Sequence, residues 1–177
     1  IIMLILVSFN TAFSQIKGDY IWIAGQQKNY TEVGGYDAHI MDFNKDTMTV
    51  SYCNIPLGTD GNKASICDEN GNLLFFTNGR AVMDANLSII TNGSDINDGE
   101  WARRYWPDPG YGFPGFQNIM ILPDPKSPSG FYLIHKTPVY NPPAKDSIEI
   151  RYSYIENYVH NNTSEVTIKN KKFYRKN

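Results

Sequence analysis

The chain has few of the residues that mark a reactive centre. Its three histidines, His39, His135 and His160, fall at no metal-ligand spacing, no Gly-x-Ser-x-Gly elbow occurs, and neither cysteine carries a local thiol-protease signature. No catalytic residue, metal site or cofactor is expected from motif. Long apolar runs are also missing. The longest at the start, Ile1 to Val7, is far short of the roughly 20 residues that a spanning helix needs, so no stable membrane span is expected. No stretch sustains the 3.6-residue apolar spacing of a long amphipathic helix, which leaves an all-β class. An excess of one charge is lacking too. Sixteen Lys and Arg stand against 18 Asp and Glu, a formal net charge of −2, so no global field draws the protein to nucleic acid or anionic lipid. The one basic concentration, Lys169 to Lys176, reads as the solvated face of a terminal strand.

Turn formers and aromatics are what the chain does have. Its 177 residues, enough for one domain with a sizeable core, include 14 Gly, 10 Pro and 14% aromatics. The segment Ala64 to Thr91 organises the rest. Three polar turn signals, Asp68 to Asn72, Asn78-Gly79-Arg80 and Asp84-Ala85-Asn86, divide it into four apolar runs: Ala64–Cys67, Leu73–Thr77, Ala81–Met83 and Leu87–Ile90. Each run is too short for a helix and rich in strand-favouring types. The Asn-Gly pairs suit type I′ hairpin turns, in which both central residues take φ > 0. Four antiparallel strands in a meander are expected, and one sheet cannot bury both of its faces.

Three strands precede this meander, at Asp19–Gly25, His39–Phe43 and Met48–Ile55, and four follow it, at Asn118–Leu122, Phe131–Lys136, Ser147–Ile155 and Val166–Tyr174. In Ser147–Ile155 the side chains alternate, with Ile148, Ile150, Tyr152 and Tyr154 on one side and Glu149, Arg151 and Ser153 on the other. Matching Ala64 to Asn118 and Leu73 to Phe131 gives a repeat of about 55 residues, near the propeller range. At the front, Ala12-Phe13-Ser14 places small residues where a signal peptidase needs them. Residues 1–14 therefore read as a signal peptide truncated at its start, and the protein as exported. Export makes a Cys53–Cys67 disulfide chemically admissible. If one lies on an outer strand and the other on the inner strand of the next sheet, about three spacings of roughly 4.8 Å separate them, against the ~7 Å limit between bridged Cα atoms. Two buried, unpaired thiols are expected.

The polar turn Asp68-Glu69-Asn70-Gly71-Asn72, the strand Leu73–Thr77 with Asn78-Gly79, and the downstream Asn118–Pro125 with Ser129–Ile134 resemble blades of large secreted β-propeller proteins of gliding bacteria. These are gliding-motility-associated proteins, some carrying PKD modules and exported by type IX secretion. The resemblance spans roughly Tyr20 to Phe173. It implies an incomplete propeller over residues 15–177, with about two and a half blades at 18–55, 64–91 and 118–174. It further implies that this is the N-terminal part of a longer protein, with the rest of the parent propeller as a partner and a C-terminal sorting domain elsewhere. Propellers host many unrelated functions, so the resemblance says little about activity.

The least regular stretch is Asn92 to Gln117, and within it the aromatic loop 101–116 is the candidate binding face. It holds Trp101, Tyr105, Trp106, Tyr111, Phe113 and Phe116, with Arg103 and Arg104 beside them. A loop this long in a compact domain is usually functional, and planar rings beside charged groups suit carbohydrate or protein contacts. Trp101, Arg103, Arg104, Tyr105, Trp106 and Tyr111 are the candidate ligand-binding residues, for an extracellular protein or a carbohydrate. The competing expectation is that the rings form the loop's own small core. Asp95 to Glu100 loosely resembles the start of a calcium loop but lacks its distal Glu and full spacing. A non-enzymatic scaffold or recognition module at the cell surface or outside the cell is the leading expectation. The alternative is a polysaccharide hydrolase or lyase using Asp37, Asp68 or Glu100.

Overall fold

A computed structural model describes residues 17–25, 38–59, 61–105, 107, 112–113, 117–140, 147–158 and 163–176. The expected signal peptide, Asp37, Trp106, Tyr111, Phe116 and His160 lie outside the described residues. Among the described residues, ten strands form three antiparallel sheets, each built from consecutive strands. Sheet 1 is β1 (Ile21–Ala24), β2 (Ala38–Asp42) and β3 (Thr49–Cys53); sheet 2 is β4 (Ala64–Cys67), β5 (Leu73–Thr77) and β6 (Val82–Asp84). Sheet 3 is β7 (Ile119–Pro123), β8 (Gly130–Val139), β9 (Ser147–Tyr158) and β10 (Thr163–Lys176). One short helix, α1 (Glu100–Tyr105), lies between β6 and β7. The all-β antiparallel expectation holds at this level, and every expected strand but Leu87–Ile90 overlaps the run that predicts it.

Sheet 2 is the middle layer, and its two faces build two cores. Ile66, Phe75 and Val82 pack toward sheet 3 against Phe131, Leu133, Ile155 and Val166. Phe76, Ala81 and Met83 pack toward sheet 1 against Ile23, Ala38, Ile55 and Leu57. A bulge refines the alternation: Cys67 pairs with Leu73 and Ile66 with Phe75, leaving Leu74 as the extra residue. Leu74 and Phe75 therefore both face sheet 3, while Leu73 and Phe76 face sheet 1. Phe75 is fully buried and meets Phe131 edge-on, with ring centroids 5.2 Å apart. The first strands of the sheets are neighbours, β1 lying against β4 and β4 against β7. Ser65 Oγ donates to the Ile21 carbonyl at 2.6 Å and the Cys67 amide to that of Gly18 at 2.8 Å.

Two details depart from expectation, and a third decides what the alternation left open. Leu87–Ile90 is not a fourth strand of the middle sheet. The Asp84 carboxylate accepts from the amides of Asn86 and Ser88, Leu87 takes φ 62°, and only one bridge, Met83 to Ile89, returns to the sheet. Thr91 is drawn across to β10 instead, bridging Glu165 in parallel while its amide donates to Ser164 and its carbonyl accepts from Val166. Nor are the Asn-Gly turns type I′. Only the glycines have positive φ, 87° at Gly71 and 82° at Gly79. Each connection is led by an Asx turn, with Asp68 Oδ1 accepting from Asn70 and Asn72, and Asn78 Oδ1 from Arg80 and Ala81. Finally, the polar side of β9 is the one that turns inward: Glu149 and Ser153 are buried, while Ile148 is exposed.

Cys53 and Cys67 are both free, as expected, but only Cys67 is buried and Cys53 is half-buried. Burial pushes both thiols above their usual range. No helix among the described residues is long and apolar enough to cross a membrane.

Candidate functional site

The segment from Asn92 to Tyr105 lies over the inward face of sheet 3, and a buried polar network holds it there. Asn92, Asp95 and Asn97 take φ of 56°, 57° and 57°, a conformation that Asn and Asp tolerate better than most residues. The turn they make buries Ile96 and Asn97 completely. Asn97 Oδ1 accepts from His135 Nδ1 at 2.5 Å and from the Thr137 hydroxyl, and its Nδ2 donates to the Gly79 carbonyl at 3.2 Å. His135 Nε2 faces Ser153 Oγ at 3.3 Å, and that hydroxyl accepts from the Asn170 amide at 3.0 Å. Asn170 closes the circuit, accepting from the Asn97 amide and donating to the Asp95 carbonyl. Because Asn97 Oδ1 can only accept, the imidazole is the neutral Nδ1–H tautomer, with Nε2 taking the Ser153 proton. Burial lowers the His135 pKa to about 3, and the Arg151 charge acts in the same direction.

An ionic cluster borders this network. Glu149 is buried beneath Arg151 and Lys172, at 2.8 and 3.3 Å. Burial alone pushes its carboxyl upward, but hydrogen bonds and charge from Arg151 and Lys172 outweigh that and hold it below the usual range. Arg151 also donates to the Asp98 carbonyl, and the Asp98 carboxylate takes Arg103 at 2.7 Å. The chain of charges thus runs from the buried face of sheet 3 out to α1.

In α1 the acidic Glu100 occupies the first turn and Arg103 and Arg104 the last, the arrangement that complements the helix dipole. Ala102 is buried and α1 packs on β8, which leaves Arg103 and Arg104 exposed. Trp101 is half-buried against Phe113, with ring centroids 5.9 Å apart and planes tilted by 48°. Phe113 is itself buried: its amide donates to the Asn78 carbonyl at 2.9 Å, and its carbonyl accepts from Asn62 Nδ2 at 2.8 Å. The backbone can come this close only because of two glycines. A Cβ on Gly79 would stand 2.8 Å from that of Phe113, and one on Gly112 would stand 3.1 Å from the Asn78 carbonyl. Arg104 lies over the Tyr140 ring, 4.9 Å from its centroid.

No family model, curated protein or solved structure matches this chain. The geometry therefore has to speak for the site. Of the sequence-derived candidates, Trp101, Arg103, Arg104 and Tyr105 come together on α1, while Trp106 and Tyr111 lie outside the described residues. Phe113 belongs to the loop's small core, and Trp101 is shared between that core and the surface. The calcium-like stretch is structural, since Asn97 serves His135 and Thr137 and Asp98 serves Arg103. No group of three or more metal-binding side chains occurs among the described residues. The Asp68 carboxylate is engaged by the amides of its own turn, which hold its pKa low against the effect of burial. Glu100 sits in the first turn of α1, away from that turn in the sequence.

Histidine spacing, which matches no metal site, does not by itself reveal the buried network. One signal for it exists. His135 and Thr137 continue the alternate positions of Phe131 and Leu133, so they share the face that the core occupies.

Proposed function

We propose that this chain is an exported, non-enzymatic recognition module of β-propeller type, acting at the cell surface or outside the cell, and that α1 with its flanking aromatics is the contact surface. Trp101, Arg103, Arg104 and Tyr105 are its candidate contacts for a carbohydrate or an extracellular protein. Two exposed guanidinium groups beside a half-exposed indole, on a helix pinned by the His135–Asn97 network, carry the reading. The backbone of α1 is held in place before it meets a ligand, so little of its entropy is lost on contact. Planar rings and forked donors suit sugar hydroxyls, carboxylates or peptide groups.

The radial arrangement is supported by the sheet order. Each sheet is a consecutive meander, and the first strands β1, β4 and β7 are successive neighbours, as the inner strands of adjoining blades would be. Binding of a panel of immobilised polysaccharides and surface proteins tests the function. Trp101→Ala and Arg104→Ala are expected to weaken the bound ligand at least tenfold, Arg104→Ala with the denaturant midpoint of a surface substitution and Trp101→Ala with a modest loss from its contact with Phe113. Unchanged binding in both variants would refute α1 as the contact surface.

A further inference from the structure

One main-chain unit of β1 has no partner at the seam between sheets 1 and 2. The Phe43 amide donates to the Tyr20 carbonyl at 2.9 Å, and the register pairs Trp22 with Met41 and Ala24 with His39. Antiparallel pairing alternates, so Tyr20, Trp22 and Ala24 turn their backbone groups to β2, while Ile21, Ile23 and Gly25 turn theirs to the other edge of the strand. Two of these three are met there. The Ile21 carbonyl accepts from Ser65 Oγ, and the Gly25 carbonyl accepts from the amide and the hydroxyl of Thr59 at 2.9 and 2.8 Å. Ile23 stands between them, and at that edge neither its N–H nor its C=O has a partner among the described residues. Continued from the Gly25–Thr59 bridge, the register would bring Gly61 opposite Ile23, but the chain bends away at 61 and 62. Asn62 draws it off. Its buried side chain donates to the Phe113 carbonyl and accepts from the Asn118 amide.

The gap opens into a cleft of about 490 Å³. Its walls are mostly apolar, with Trp22 and Met41 from sheet 1 and Ala64 and Phe76 from sheet 2. The Trp22 indole is half exposed and is held by its Nε1, which donates to the Asp19 carbonyl at 2.8 Å. Lys63 lines the same cleft. Among the described residues its ammonium meets the Thr59 carbonyl, at 3.3 Å, and no carboxylate pairs with it. An apolar wall with a few convergent polar groups is what a small-ligand site presents. Here those groups are a main-chain donor, a main-chain acceptor and a cation. Buried main-chain groups are almost always satisfied by protein, water or a ligand, and Ile23 is a buried residue.

We propose that this cleft binds an N-acyl amino acid with an apolar side chain and a free carboxylate, the chemistry of the C-terminal residue of a peptide. The ligand N–H donates to the Ile23 carbonyl, and one carboxylate oxygen accepts from the Ile23 amide, the exchange that a residue of a neighbouring antiparallel strand makes. Lys63 supplies the opposite charge, and the side chain rests on the apolar wall. The gap admits one residue, because Thr59 at Gly25 and Ser65 at Ile21 close its two ends. Acylation matters, since a free ammonium would share the cleft with Lys63. The site is built from β1, β2, β4, β5 and Lys63, and stands apart from α1.

Titration of the isotope-labelled chain with N-acetyl-L-phenylalanine, followed through its main-chain amide resonances by NMR, tests the site. Saturable shifts centred on Ile23 are expected. N-acetyl-L-phenylalaninamide keeps the ring and the N–H but lacks the charge, and should bind about tenfold more weakly. Lys63 is exposed, so Lys63→Met should leave circular dichroism unchanged; it should weaken the acid about tenfold and the amide hardly at all. The tetrapeptide Ala-Ala-Ala-Phe distinguishes the source. Binding as tight as that of the acetylated residue identifies a peptide chain end, and exclusion identifies a small N-acyl amino acid. Absence of a saturable shift at Ile23 with millimolar probe, equal affinity for acid and amide, or indifference of the acid to Lys63→Met would overturn the proposal. Trp101→Ala should bind the acetylated residue as the parent chain does, so this site and the α1 surface stand or fall separately.

Discussion

Acid should unfold this protein through His135. The imidazole is fully buried, neutral, and engaged on both nitrogens, by Asn97 on one side and Ser153 on the other. Protonation would bury a charge away from water and place it beside Arg151, which is why the folded-state pKa lies at about 3 instead of the ordinary 6.5; it would also take from Ser153 the acceptor that its hydroxyl faces. Between those two values the unfolded chain takes up a proton that the folded chain cannot. Stability is therefore complete above pH 6.5, falls with decreasing pH toward 3, and levels off below it. With a slope of about 1.4 kcal/mol per pH unit, the loss relative to pH 7 is about 2 kcal/mol at pH 5 and about 3 kcal/mol at pH 4. Denaturant melts of the parent chain and His135→Gln at pH 7, 5 and 4 measure it. The variant should be less stable at pH 7, because Gln cannot bridge Asn97 and Ser153 as imidazole does, but its stability should fall much less on acidification. Carboxylates such as Glu149, whose folded pKa is also depressed, titrate in both proteins and cancel in the comparison. Parallel pH curves for the two proteins, or a His135 ring resonance that titrates near 6.5 in the folded state, would refute the reasoning.

Two further substitutions probe the packing. Phe75→Ala empties the centre of the core between sheets 2 and 3 and should cost about 3 to 5 kcal/mol, read from the urea midpoint; a loss under about 1 kcal/mol would mean that the two sheets do not pack as described. Gly79→Ala combines a positive φ with a Cβ only 2.8 Å from that of Phe113, and should cost roughly 1 to 3 kcal/mol and shift the fluorescence of Trp101, which rests on Phe113; an unchanged spectrum would separate α1 from the Asn78-Gly79 turn.

The strands were legible because their signal is local. Runs such as Leu73–Thr77 and Ser147–Ile155 alternate or cluster apolar residues between Asp- and Asn-led turns, and both the pleat and the turn act over a few residues. The same locality hid the polar network. Asn97 and His135 are 38 positions apart, and Asn97 and Asn170 are 73 apart, so no window of sequence contains the pair. The aromatic segment was legible as a place of interest but not in its parts: Phe113 and Trp101 look alike in the sequence, and only the approach of Asn78 and Asn62 to the Phe113 backbone separates a buried ring from a surface one.

By itself the sequence determined the all-β class, the position of nearly every strand and the antiparallel order of neighbours, since each depends on side-chain period and turn chemistry within one hairpin. Tertiary structure alone decided which face of each strand turns inward. In β9 the polar side won, because Glu149 and Ser153 find Arg151, Lys172, His135 and the Asn170 amide there, and a buried polar group is tolerated only where partners meet it. Tertiary structure also decided the fate of Leu87–Thr91. The run divides between two edges: Ile89 bridges Met83 of β6, with the Ile90 amide donating to Val82 and the Asp84 amide to Ser88, and at Thr91 the chain crosses to the edge of β10 in another sheet.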